Sequence, residues 1–339
     1  MRRHLKAAIV TVLTVGLMIF FFRNADFAQV WQEVLRAEGG LLAIGLLLML
    51  CTYLFRVERW RYLLLPVAPT RFSSAFRATV IGFTVNALLP GRAGEVVRPY
   101  VLARQEGLSA TSAFATIVIE RLLDLVVVCL IVSSFVLFFG PQSTASNTRL
   151  LSMMESGAFA AGLIAIILLV AVGILAGDLD RIKRLLARLE QLGSGGLMRR
   201  LALSGEQFLE GLAVVRQVRP LGVALAWSLP LWFTMAVSIW CVTNAFGMEI
   251  PLGGAMILMA LMVVGVALPT PGGVGGYHAA YQIGATVLYG AQDDRAVGAA
   301  LVLHLFSFGP VTLLGLVFMA RDGLRLTGLR ELSKTNGKR

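Results

Sequence analysis

The sequence predicts an all-α polytopic membrane protein with about six full spans and two broken, re-entrant helical hairpins. Three observations predict it. Hydrophobic residues make up 57% of the 339-residue chain and charged residues only 14%, against about a quarter charged in soluble domains. The apolar residues fall in blocks long enough to cross about 30 Å of hydrocarbon as helices. Two further apolar blocks are interrupted by proline and glycine, where regular helix cannot continue.

In chain order, the first span is expected at 5–22. It follows the basic stretch MRRHLK and runs into Phe20, Phe21, Phe22 and Arg23 with no small-x-small cleavage site, so it reads as an uncleaved span. A second span is expected at 40–60. The block 78–91 ends in FTVNALLPG, where Pro90 and Gly91 stop a helix. Further spans are expected at 112–139, 157–176, 221–246 and 296–320. Between the last two lies 254–290, cut by PTPGGVGG, with structural breaks at Pro269 and Pro271. Backbone that irregular is tolerated at membrane depth only inside protein or beside a watery cavity.

Charge sets the expected orientation. With the N-terminus in the cytoplasm and both broken blocks returning to their starting side, 25 of the 30 Lys and Arg residues fall on inner segments. Four fall on outer segments and Arg121 lies within a span. This asymmetry is the positive-inside pattern, and it puts both termini in the cytoplasm. The net charge of +11 therefore points to anionic lipid rather than nucleic acid.

The chain is expected to form one membrane domain, 1–339. The order span, span, broken segment, span occurs twice, over 1–139 and 157–320, starting from opposite sides. That is the plan of an inverted-topology repeat; unrelated helices of coincident parity would give the same order, because only the Pro-Gly breaks are alike. The inner stretch 177–220 carries RIKRLLARLEQL, whose Ile182, Leu185, Leu186 and Leu189 share a helix face. It is expected to be an amphipathic cytoplasmic loop, and 321–339 a basic cytoplasmic tail.

Three clusters carry the candidate chemistry. In TIVIERLLDLVVV, Glu120, Arg121 and Asp124 sit in an apolar helix about 12 to 18 Å from its start. Charges at such depth persist when they pair or face water, and Arg121 and Asp124 are three apart and can pair. In NALLPGRAGEVVRPYVLAR, Asn86, Arg92, Glu95 and Arg98 flank the break at Pro90 and Gly91. A new helix start near Ala93 is expected to offer free N–H groups to an anion, Glu95 and Arg98 can pair, and Arg92 and Arg98 are fork-shaped donors suited to phosphate. In LPTPGGVGGYHAAY, Gly272, Gly273 and Gly275 precede a second helix start with His278 in its first turn. His278 is a candidate polar ligand and His304 a packing residue. Neither histidine has metal-ligand company, and Cys51, Cys129 and Cys241 read as small hydrophobes in helices. No metal or other cofactor is expected, and no P-loop signature for ATP is present.

The series N-x-x-L-P-G-R-x-G-E-x-x-R, then E-R-x-x-D, then P-T-P-G-G-V-G resembles the lysylphosphatidylglycerol synthase transmembrane-region family of flippase-like membrane proteins. In the best-known members a soluble aminoacyl transferase domain makes aminoacylated phosphatidylglycerol, and the membrane part moves it to the outer leaflet. The resemblance covers the membrane part, so it implies lipid translocation and not tRNA-dependent synthesis. The matching positions are Asn86, Pro90, Arg92, Gly94, Glu95, Arg98, Glu120, Arg121, Asp124, Pro269, Pro271, Gly272, Gly273 and Gly275. The family commonly has a carboxylate where this chain has His278, which weakens any scheme needing a second acidic group there.

The resulting expectation is a lipid flippase or scramblase of the bacterial inner membrane, more transporter than enzyme. A phospholipid or lipid-linked headgroup, anionic or glycosylated, would pass through a polar groove where the two hairpins meet. A membrane-embedded lipid or glycan transferase is the alternative enzyme reading. A non-transporting partner of a lipid-modifying or glycan-building enzyme is the third.

Overall fold

The computed structural model describes residues 2–23, 25–139, 148–192, 196–268 and 270–324, and every regular element among them is helical. Helix α1 (Arg2–Phe22) is followed by α2 (Phe27–Arg36), bent by 73° from it. Five longer helices are apolar enough to cross a membrane: α3 (Gly39–Leu64), α6 (Ala110–Phe139), α7 (Thr148–Leu192), α9 (Val218–Ala245) and α12 (Asp293–Arg321). With the bent α1–α2 pair they make up to six spans, in agreement with the sequence.

Helix α2 occupies a segment the sequence left as a connection. Asp26 caps it, its carboxylate accepting hydrogen bonds from the Ala28 and Gln29 amides. Phe27, Trp31 and Leu35 recur every four residues and are exposed, so α2 presents an apolar stripe outward. Its other face is tied to α12 by the Glu33–Arg295 pair at 3.1 Å and by the Asp26 amide donating to Asp294.

Two further differences concern the segments expected to lie on the inner side. Helix α7 runs unbroken to Leu192, so 181–192 continues a spanning helix instead of forming a separate one. The side chains of 178–202 lie outside the described residues, as do Pro269 and the tail from 325 onward. Helix α8 (Gly196–Leu212) packs on the start of α6, where Gly211 lets the two backbones touch at the Ser112 carbonyl.

The two broken segments are hairpins. Helix α4 (Phe72–Leu88) turns through Pro90, Gly91 and Arg92 into α5 (Gly94–Glu106). At 17 residues α4 is about 26 Å long, short of a full crossing. Gly91 has φ 78° and Arg92 φ 53°, so the reversal is made by two successive left-handed residues. Gly82 and Gly94 then allow α4 and α5 to meet backbone to backbone; a methyl on Gly94 would overlap the Gly82 carbonyl. The second hairpin pairs α10 (Leu252–Ala267, 16 residues) with α11 (Gly276–Ile283), joined through a short 3-10 turn at Pro271–Gly273. Gly265 and Gly276 play the same close-approach role there.

The hairpin tips touch. A methyl on Gly272 would stand 3.2 Å from the Ala87 carbonyl, and Gly272 itself has φ 59°. Its carbonyl bonds a ring nitrogen of His304 at 3.0 Å, which ties the second tip to α12. Helices α3 and α9 pack side by side, with the Ser238 hydroxyl donating to the Gly45 carbonyl at 2.6 Å. The core thus surrounds the tips with long helices.

Candidate functional site

The charged cluster is built from α3, α5 and α6. Glu120 is fully buried, and Arg59 Nη2 reaches its Oε1 at 2.9 Å. Arg98 Nη1 from α5 grips both Glu120 oxygens, at 3.1 and 3.0 Å. Arg121 Nη2, from a third arginine, adds a contact at 3.1 Å. Asp124, one turn on, receives Arg59 Nη1 and Trp232 Nε1 on Oδ1, and Arg121 Nη1 approaches Oδ2 at 3.2 Å. Two carboxylates at consecutive turns of one helix therefore bind arginines from three helices. Burying one ion alone would be prohibitive; here each carboxylate is multiply paired, the condition under which buried charge is tolerated.

Arg59 and Arg56 were not singled out in the sequence. They fall at the end of an apolar run, where the charge count treats them as inner anchors. The helix extends to Leu64, and Val57, Trp60, Leu63 and Leu64 keep a buried helical stripe going past them. That stripe is the signal that would have found them. Trp60 in turn underlies Arg98, whose guanidinium carbon stands 3.8 Å from the ring centroid.

Beside this cluster lies an open cavity of about 110 Å³ between the hairpin tips. Asn86, Arg92, Glu95, Arg98, Arg121, Gly272 and Gly273 all line it, joined by Thr270. A second chamber of about 150 Å³ shares Arg92 and Arg121 with the first. Its walls are largely apolar, with Met49, Met235, Met259, Met262, Trp232 and Phe308, and Arg56 faces it. The two chambers together are lined by Arg56, Arg92, Arg98 and Arg121 amid largely apolar surface.

Several sequence-predicted residues lie elsewhere. Glu120 and Asp124 do not line either chamber; they stand behind the arginines that do. Glu95 pairs with Arg92 at 3.5 Å rather than with Arg98, because Arg98 turns inward to Glu120. Gly275 and His278 line neither chamber. Gly275 lies against Leu17 of α1, and the buried His278 ring packs on Phe21 and His304 and accepts from the Gly275 amide. The amides of the first turn of α5 are already taken. Asn86 accepts from the Gly94 amide at 2.7 Å, and the Glu95 and Val96 amides close onto the Arg92 and Ala93 carbonyls.

Free donors are found instead on the arginines. Among the described residues, Arg98 Nε and Nη2, Arg121 Nε and the Thr270 hydroxyl have no hydrogen-bond partner; these atoms are buried, while the residues that carry them line the first chamber. Native proteins rarely leave such groups unsatisfied.

Comparison with known proteins identifies the family. The family model for the lysylphosphatidylglycerol synthase TM region matches residues 5–315. A "UPF0104 membrane protein" of Methanothermobacter thermautotrophicus is 24% identical over 94% of this chain and 93% of its own length. "Glycosyltransferase AglD" of Haloferax volcanii is 23% identical over 91% of this chain, which spans 52% of that relative.

Proposed function

Because the chain belongs to the lysylphosphatidylglycerol synthase TM region family, we propose that it moves an anionic lipid headgroup across the membrane through the cavity between its hairpin tips. Family membership and the buried Arg/Glu network support a transporter-like, lipid-handling role. The observation that carries the finer reading is the pair of adjoining chambers, lined by Arg56, Arg92, Arg98 and Arg121 and, in the second, by Met49, Met235, Met259 and Met262. A phosphate would sit between Arg92, Arg98 and Arg121, which present fork-shaped donors. The start of the lipid chain would lie in the second chamber. Glu120 and Asp124 fix the arginines before any lipid arrives, so their ordering is not a cost of binding.

In this reading the bacterial inner membrane holds the protein with both termini inward. The α4–α5 hairpin enters from the cytoplasmic side and the α10–α11 hairpin from the outer side, as halves of an inverted repeat would. A transferase reading takes its support from the name of a relative that this chain half spans. The cavity adds little to it: among the described lining residues the only carboxylate is Glu95, held by Arg92.

The test is reconstitution into vesicles carrying headgroup-labelled phospholipids, with an impermeant quencher reporting outer-leaflet exposure. Acceleration over protein-free vesicles is expected for at least one anionic lipid. No acceleration with any anionic or glycosylated lipid overturns the reading.

A further inference from the structure

The charges around the cavity do not balance. Arg56, Arg59, Arg98 and Arg121 face only Glu120 and Asp124 among the buried groups, and the Arg92–Glu95 pair at the rim adds nothing to the difference. The excess is two positive charges, one of them eased by water because the Arg121 side chain is 36% exposed. Arg56 is the clearest surplus cation. It is 7% exposed, makes no ion pair among the described residues, and rests on the faces of Phe83 and Trp232 at 5.3 and 5.7 Å. Asp124 acts on it through space but is already held by Arg59, Arg121 and Trp232. A buried cation without a carboxylate is costly unless something else neutralises it.

Arg56 lines the second chamber and Arg98 the first; Arg92 and Arg121 line both. Resting on the headgroup reading above, we infer that the cavity is matched to a lipid whose headgroup carries two negative charges. That means a phosphomonoester or diphosphate rather than a phosphodiester, and not an aminoacylated lipid of net positive charge. A phosphomonoester carries about −1.5 to −2 near neutral pH and neutralises the excess; a diester, with one charge, leaves part of it unmet. A lysyl-bearing headgroup would add positive charge to a site already in surplus. Arg56 is the selectivity residue: it supplies the charge beyond what one diester needs.

Native mass spectrometry of the purified full chain, with added lipids of identical acyl chains at pH 8, tests this. Phosphatidic acid, phosphatidylglycerol and lysyl-phosphatidylglycerol are the probes, with inorganic phosphate as competitor. Phosphatidic acid is expected to bind at least tenfold tighter than phosphatidylglycerol, and the lysyl lipid weakest. Arg56→Gln is expected to cut that preference to threefold or less while phosphatidylglycerol binding persists; Arg56→Lys is expected to keep most of it. Inorganic phosphate at millimolar concentration is expected not to displace the lipid, because it cannot fill the apolar chamber. Equal binding of the two anionic lipids, preference for the lysyl lipid, or an unchanged preference in Arg56→Gln overturns the inference while leaving the headgroup site standing. Displacement by free phosphate overturns the assignment to lipid. Failure of every lipid to bind overturns both readings.

Discussion

Arg59 and Glu120 form an ion pair at 2.9 Å in which both side chains are fully buried. The pair lies at the junction of α3, α5 and α6, since the same carboxylate also holds Arg98 and Arg121. Removing its charge leaves three arginines short of a counter-ion. Glu120→Gln is therefore expected to lower stability by about 3–5 kcal/mol, the usual cost of breaking a buried pair. Thermal unfolding in detergent checks this. Adding Arg59→Gln to Glu120→Gln is expected to cost far less than the sum of the single changes, because the partners are already lost.

Gly94 lies against the Gly82 carbonyl where α4 and α5 meet. Gly94→Ala is expected to force the hairpin open and to lower the melting temperature and the folded yield markedly. Gly222, inside α9, has nothing within 4 Å of the position a methyl would take. Gly222→Ala is expected to be neutral or to stabilise by up to about 1 kcal/mol through helix propensity. Equal behaviour of the two variants would contradict the close approach.

Arg92 is the non-glycine residue with positive φ among those described, at 53°. A left-handed backbone costs an ordinary residue about 1 kcal/mol or more. Arg92→Gly removes that strain together with the guanidinium. Melting temperature is expected to hold or rise while lipid movement falls. A fall in both would mean that the side chain holds the turn.

Arg77 and Asp322 join α4 to the end of α12 at 3.0 Å, with side chains 41% and 20% exposed. Arg77→Ala is expected to cost less than about 1 kcal/mol, and less still at high salt. The comparison with Glu120→Gln separates peripheral from buried pairing.

The hairpins were legible because their causes are local. Proline and glycine end helices wherever they stand, and Pro90–Gly91 and Pro271–Gly272–Gly273 sit where the chain reverses. Arg121 and Asp124 were legible because three residues along a helix place two side chains on one face. The partners of Glu120 were not. Arg59 is 61 residues away, and a positive charge at the end of an apolar run looks like a topology signal until the buried stripe beyond it is followed to Leu64. The occupied start of α5 was likewise hidden, because Asn86 reaches Gly94 only once the turn has folded. Helix α2 carries a local signal of its own in Asp26, placed to cap the helix that begins at Phe27.

Arg121 offers the most direct test of the central claim. It lines both chambers, and at 36% side-chain exposure it can be changed with less harm to the core than Arg59 or Arg98. The measurement is the rate of phospholipid movement in vesicles holding equal amounts of folded wild-type or Arg121→Gln protein. The account predicts at least a tenfold slower rate for the variant, with a melting temperature that shows the fold intact. A folded Arg121→Gln protein that moves lipid as fast as wild type would place the route somewhere other than the arginine-lined cavity.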